Sequence, residues 1–444
     1  MKTVIMAGGI GSRISSLFPD IPKPLIEIEN SFGVKKPVLQ WEIESLAEQG
    51  FTDIILTVSH MHEKIEDFFG DGSKFGVKIN YFIEDTPLGN AGALFKLDLD
   101  SDFLLLNADS VFDVDLNRFV EFHIKKKALV SLFTHPNSHP YDSGLVCSDI
   151  DGSVISWLTK EDKRPKWCKN RVNSGLHIIS PSVLKTTLNS LGIKREDIGT
   201  EDSAGNIIRV DLDRQILKRQ CGTHRMFAYN SPEYVKDMGT PERYKQVSND
   251  FKRGLVTAKK LSNRQKAIFL DRDGTINVYK GFLKDIDEFE LIDGVAEAIK
   301  KINESGFLAI VVTNQPVIAR GELTQAQLDM IHCKLETLLG EKGAYIDGLY
   351  YCPHHPESGF AGEVRELKID CDCRKPNPGM LFRASLDYNI DLNESWIIGD
   401  SYSDILAGKS AGCKTGLIMK KEDKVEIQSD LVSSDLKSII DLII

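Results

Sequence analysis

A chain of 444 residues, 41% hydrophobic and 27% charged, has the makeup of a globular protein with substantial cores. At roughly 150 residues per domain it holds two or three of them, and collagen-like or disordered polymers are excluded. The 55 Lys and Arg stand against 65 Asp and Glu for a formal charge of −10, the wrong sign for gripping a nucleic-acid backbone, so an anionic ligand has to be held by local groups. No apolar run approaches the roughly 18 residues of a transmembrane helix, and the opening Met-Lys-Thr-Val-Ile-Met is too briefly apolar for a secretion signal. Eight cysteines without a paired framework fit a reducing compartment. The expectation is a cytoplasmic protein with neither nucleic-acid nor membrane partners.

In chain order, residues 3–7 form a short apolar run that breaks into Gly8, Gly9 and Gly11. Leu39, Ile43, Leu46 and Ala47 then recur at helical spacing, Gly50 stops the helix, and residues 54–58 read as a strand. The same succession starts afresh at residues 267–270, which break into Asp271-Arg272-Asp273-Gly274-Thr275. Val295, Ala298, Ile299 and Ile302 predict a helix, Gly306 its stop, and residues 307–312 a buried strand. Alternating strands and helices predict parallel α/β sheets in two tandem domains. The boundaries predicted are 1–250 and 266–444, joined across 251–265, where Lys252, Arg253, Lys259, Lys260 and Arg264 suggest a solvated basic linker.

Within the first domain, the glycines after the first strand let backbone amides approach phosphate oxygens, and Arg13 and Lys23 supply positive charge. Their spacing fits neither a dinucleotide fingerprint nor a Walker loop. With Pro22-Lys23-Pro24 they resemble the signature of sugar-1-phosphate nucleotidyltransferases, and further segments follow in that family's order. Glu84 precedes Pro87-Leu88-Gly89-Asn90-Ala91-Gly92-Ala93; an apolar strand ends in Asn107-Ala108-Asp109; then come Asn173-Ser174-Gly175 and Asp237-Met238-Gly239-Thr240-Pro241. The resemblance implies a Rossmann-like, GT-A-like sheet. It gives Gly8, Gly9, Gly11, Glu84 and Gly89 to the nucleotide, Asn173 and Gly175 to the sugar, Arg13 and Lys23 to catalysis, and Asp109 and Asp237 to Mg²⁺.

In the second domain, Asp271 and Asp273 are two apart, which on a strand puts both carboxyls on one face. Asp-x-Asp-Gly-Thr, Thr313 after an apolar strand, Lys375 in Cys-Arg-Lys-Pro, and Gly399-Asp400 together resemble the haloacid dehalogenase superfamily. The resemblance implies a parallel sheet in which Asp271 is the nucleophile and Asp273 the acid and base. It also implies Mg²⁺ on Asp271, the Asp273 carbonyl and Asp400, with Asp404 either supporting it or a plain helix carboxylate. Cys352, His354, Cys371 and Cys373 are four soft or imidazole ligands suited to tetrahedral, structural Zn²⁺, with His355 as competitor to His354.

With Thr313-Asn314-Gln315, Ile318-Ala319-Arg320-Gly321 and the zinc loop that carries Arg374 and Lys375, the domain resembles D-glycero-D-manno-heptose-1,7-bisphosphate 7-phosphatases. There Thr313, Asn314, Arg374 and Lys375 would contact substrate, although Pro316-Val317 replaces the family's usual Ser-Gly. A C7 phosphatase supplies the heptose 1-phosphate that a nucleotidyltransferase consumes, and the first domain is similar to D-glycero-α-D-manno-heptose-1-phosphate guanylyltransferases. The combined expectation is a bifunctional enzyme using sugar phosphates and GTP. Its rivals are another hexose-1-phosphate nucleotidyltransferase fused to a histidinol-phosphate-type phosphatase, and a catalytically dead sugar-nucleotide sensor.

Overall fold

The computed structural model describes residues 1–9, 13–159, 161–419 and 428–444, Asp142 in its backbone only, so the expected phosphate-loop Gly11 lies outside the described residues. The chain forms two compact units: residues 1–134, 146–158 and 173–257, and residues 135–145, 159–172 and 258–444.

Each short apolar run becomes a strand buried on both faces, which is why its hydrophobicity is continuous and not alternating. In the first unit, Thr3–Met6 lies parallel to Asp53–Val58 on one side and to Phe103–Asn107 on the other, and Lys78–Ile83 extends the parallel set. Ile5, Leu104 and Leu106 face a core with Leu39, Ile43 and Leu46 of the helix Val38–Glu48, while Val4, Phe103 and Leu105 face the opposite core with Leu94 and Ile216. Gly50, at φ 86°, turns the chain out of that helix as expected.

The first sheet is mixed and not purely parallel, because Val172–Ile179 runs antiparallel to Phe103–Asn107. Helical crossovers are what force successive strands to run parallel. The connection from Asn107 to Val172 holds the helix Leu116–Lys126 but also the strands Ser110–Asp113, Val130–His135, Leu145–Ser148 and Val154–Leu158, so it is no single helical crossover and that constraint lapses.

The second sheet is parallel throughout, in the order Gly348–Cys352, Phe307–Asn314, Lys266–Leu270, Trp396–Gly399, Lys414–Ile418, Leu431–Ser433. Ile268, Leu270, Ala309 and Val311 face Val295, Ile299 and Ile302 of the helix Val295–Asn303, and Phe269, Leu308, Ile310 and Val312 face Met380, Leu381 and Ala384. The stretch expected as a solvated linker is partly structured: Leu255–Ala258 is helical, Leu261 is buried, and buried Lys259 pairs with Asp347 at 3.5 Å. Among the described residues no helix is long and apolar enough to cross a membrane.

Candidate active sites

Ligands of open α/β sheets gather where strands end, and in the first unit that edge carries the expected residues. Lys23, on the turn Lys23–Leu25, is ion-paired with Asp109, which follows the strand Phe103–Asn107. The strand Tyr234–Asp237 lies antiparallel to Ser110–Asp113 with Asp237 opposite Ser110, and the Met238 N–H donates to the Asp109 carbonyl at 3.1 Å. A Cβ on Gly239 would stand 3.0 Å from Asp237 Oδ1, 3.3 Å from Arg13 Nη2 and 3.5 Å from Lys23 Nζ, so these three side chains converge there. Burial raises the Asp237 carboxyl, but the Gly239 N–H, Arg243 and Lys23 outweigh it and hold the group below the ordinary range. Arg243 Nη1 donates to both Asp237 oxygens at 2.9 and 2.7 Å. The two aspartates are hard oxygen donors suited to Mg²⁺, each balanced here by a side-chain cation.

Glu84 follows the strand Lys78–Ile83, with its Oε1 3.2 Å from where a Cβ on Gly8 would sit, whereas Gly9 faces open space. Burial raises the Glu84 carboxyl, partly offset by the Leu88 N–H at 3.3 Å. Gly89 has φ 85° and a Cβ there would lie 2.6 Å from the Val210 carbonyl oxygen, so only glycine fits the turn. Asn173 is turned onto His177, Oδ1 to Nε2 at 3.0 Å, and the missing side chain of Gly175 leaves room for the Asn107 amide. Glu42 had no sequence signal. Its carboxyl is buried on the helix Val38–Glu48, neither oxygen has a hydrogen-bond partner among the described residues, and the group is raised well above its ordinary value by burial, then by Asp109, against Lys23.

In the second unit the strand Lys266–Leu270 ends one residue before Asp271, so Asp271 and Asp273 lie in the turn after it and the same-face argument does not apply. Their carboxyls have different partners. Lys375 Nζ, fully buried, donates to Asp271 Oδ1 at 2.7 Å and to the Val312 carbonyl at 2.8 Å, and pairs with Asp404 at 2.6 Å. Asp273 is held by Arg272, Gln315 and Asn277. Asp271, Asp400 and Asp404 each bring an oxygen within 4.8 Å of the others, a set that fits a hard divalent cation. The Asp273 side chain is not among them; its expected share in the metal was its carbonyl. Burial raises Asp271 to about 7, opposed by Lys375 and helped by Asp404, and burial with Asp404 raises Asp400 to about 6. Gly274, at φ 88°, admits Asp400: a Cβ there would fall 1.9 Å from its Oδ2.

Thr313 is buried at the end of the strand Phe307–Asn314 and accepts from Gln315 at 2.9 Å. Asn314 is spent on structure, its amide donating to the Lys375 carbonyl and its oxygen accepting the Lys375 N–H, both at 3.0 Å. Arg374 donates to the His354 carbonyl at 3.2 Å. Val317, at the position of departure from the expected Ser-Gly, is buried in the core. The Cys352, Cys371 and Cys373 sulfurs lie 3.2 to 3.5 Å apart and His354 Nδ1 3.4 to 3.6 Å from two of them. That compares with edges of about 3.8 Å for a tetrahedron of 2.3 Å Zn–S bonds. His355 instead faces Phe360 and the Glu357 carbonyl.

The family described as nucleotidyl transferase matches residues 2–254, and the HAD-hydrolase-like family matches residues 372–439. Among solved structures, HddC from Yersinia pseudotuberculosis aligns with 56% of this chain and 99% of its own, at 26% identity and a TM-score of 0.43. The D-glycero-beta-D-manno-heptose-1,7-bisphosphate 7-phosphatase of Pasteurella multocida (strain Pm70) is 46% identical over 156 residues, 35% of this chain and 82% of that protein. The protein of the same name from Haemophilus ducreyi is 41% identical over 184 residues, 40% of this chain and 97% of that protein. Through residues 2–254 the chain belongs to the nucleotidyl transferase family, and through its kinship with these phosphatases it belongs to theirs as well, so one polypeptide joins two enzymes.

Proposed function

We propose that the chain removes the C7 phosphate of D-glycero-α-D-manno-heptose 1,7-bisphosphate and then transfers GMP from GTP to the heptose 1-phosphate, releasing pyrophosphate. We assign the transfer to residues 1–250 and the hydrolysis to residues 266–444. The observation that carries the reading is the gathering of Asp271, Lys375, Thr313 and Asp400 at one edge of a parallel sheet, in a chain related to phosphatases of this class.

In the hydrolysis, an Asp271 oxygen bonds to phosphorus while the bond from phosphorus to the C7 oxygen breaks, and Asp273 gives that oxygen its proton. Water then attacks the aspartyl phosphate, Asp273 takes the water's proton, and phosphate leaves. Lys375 and Thr313 would donate to phosphoryl oxygens, and Asp404 holds the Lys375 ammonium. Asp271, Asp400 and the Asp273 carbonyl would hold Mg²⁺, which supplies positive charge against the phosphoryl group. Zn²⁺ on Cys352, His354, Cys371 and Cys373 would fix the loop that ends in Lys375.

In the transfer, an oxygen of heptose 1-phosphate attacks the α-phosphorus and pyrophosphate leaves, so positioning and charge do most of the work. Arg13 would neutralise the departing pyrophosphate, and Lys23 the charge building at the α-phosphate. Asp109 and Asp237 would hold Mg²⁺ there, with Lys23 and Arg243 released to other partners.

The related phosphatases are named for the β anomer, so both anomers belong in the test. Full-length protein is given each bisphosphate anomer with each of the four NTPs, and products are followed by mass. GDP-heptose from the α anomer and GTP is expected. Another nucleotide or the β anomer as the better substrate overturns that part of the reading, and no phosphate release overturns the phosphatase.

A further inference from the structure

Arg272 is fully buried, and a charge without solvent must be matched by the groups around it. Its Nη2 donates to both Asp273 oxygens, at 2.9 and 2.8 Å, and to Gln315 Oε1 at 3.1 Å, while Nε reaches Asp273 Oδ1 at 3.3 Å. The remaining arm, Nη1, meets His332 Nε2 at 3.2 Å. A guanidinium only donates, so this ring nitrogen is the acceptor and the imidazole is neutral with its proton on Nδ1. Burial first, and then the positive charge of Arg272, favour the same neutral form. His332 stands on the helix Gln325–Glu341, 3% exposed, with its ring tilted against Tyr351 at 5.6 Å. It lies 60 residues along the chain from Arg272.

We propose that His332 is a positioning residue of the phosphatase: by ending the hydrogen-bond fan of Arg272 it fixes the guanidinium plane, and that plane fixes the Asp273 carboxyl for proton delivery to the leaving sugar oxygen. The inference rests on the phosphatase reading above. Gln315 Nε2 at 2.8 Å and Asn277 Nδ2 at 3.0 Å hold Asp273 from other sides, but both are neutral amides. Without an acceptor at His332, Arg272 has a buried N–H to satisfy and turns to find a partner, carrying Asp273 with it.

The test uses a difference in leaving groups. A sugar alkoxide needs a proton as it departs, whereas p-nitrophenolate does not. The full-length enzyme, H332L and H332Q are compared by kcat/KM on heptose 1,7-bisphosphate and on p-nitrophenyl phosphate. For H332L the value on the bisphosphate should fall ~10-fold or more, part of the 10²–10⁴ that general acid catalysis supplies. On the aryl phosphate it should fall less than ~3-fold, because the Asp271 step needs no acid there. H332Q, whose carbonyl oxygen reaches the position of Nε2, should recover most of the loss. If H332L does not fold, H332F keeps the ring against Tyr351 and carries the same comparison. Equal losses on both substrates, or no loss on the bisphosphate, would overturn the role of His332 and leave the phosphatase intact. Failure of the unmutated enzyme to release phosphate from the bisphosphate would instead overturn the phosphatase reading.

Discussion

Glu42 shows what a single side chain can cost. Its carboxyl is buried and without hydrogen-bond partners among the described residues, and its folded-state value lies well above the unfolded one. Above about pH 4.3, where an unfolded Glu loses its proton, the folded chain binds more protons at this site than the unfolded chain. Stability therefore falls as pH rises through that window. Glu42→Gln keeps the shape and abolishes the titration, so its melting temperature should exceed that of the parent at pH 8 and match it near pH 4. A variant less stable than the parent at pH 8 would contradict the argument. At Asp271, replacement by Asn removes the attacking oxygen and should cut phosphate release at least ~10³-fold with nucleotidyl transfer unchanged; substantial turnover would mean direct attack by water. Residues such as Asp109, Asp271 and Asp400 were legible in the sequence because each follows an apolar strand. Glu42, Arg243, Arg272 and His332 were not, because their roles arise from partners brought close only by the fold.

At the scale of elements, strand and helix positions could be read because the buried strands are continuous apolar runs and the helices keep their spacing up to a terminating glycine. The mixed character of the first sheet could not, since strand direction depends on connections and not on strand composition. The same limit applies to Asp271 and Asp273, whose period-two reading failed once the strand stopped at Leu270. The cysteine loop was legible from ligand spacing, and the resemblance chose His354 over His355. Only Arg374 separates Cys373 from Lys375, so disorder in the loop would work against the paired hydrogen bonds between Asn314 and the Lys375 backbone that hold Lys375 to the strand Phe307–Asn314. Cys371→Ser with Cys373→Ser should lower bound zinc from about one per chain to near zero, and phosphatase activity should drop with it. Full zinc occupancy in that double variant, measured by elemental analysis, would remove the metal from the account.

For the whole molecule, the pairing of activities predicts an order. Heptose 1,7-bisphosphate carries a second dianion, and no basic cluster for it is evident among the residues assigned to the transferase sugar site, so hydrolysis should come first. With GTP present, phosphate should appear before pyrophosphate. Asp271→Asn should stall on the bisphosphate but use heptose 1-phosphate, and Asp109→Ala should stop at heptose 1-phosphate through loss of a metal ligand. Mixing the two variants should restore the sugar nucleotide through the free intermediate. Conversion of the bisphosphate to a nucleotide-linked heptose 7-phosphate by Asp271→Asn would reverse the order. The close approach of Asp400 to Gly274 adds a genetic consequence. A side chain at 274 would need both a left-handed backbone and the space already filled by Asp400 Oδ2. In a saturation library scored separately for the two reactions, this position should tolerate glycine alone for phosphate release and a broad range of residues for nucleotidyl transfer. The smallest change that separates the two activities is then one methyl group.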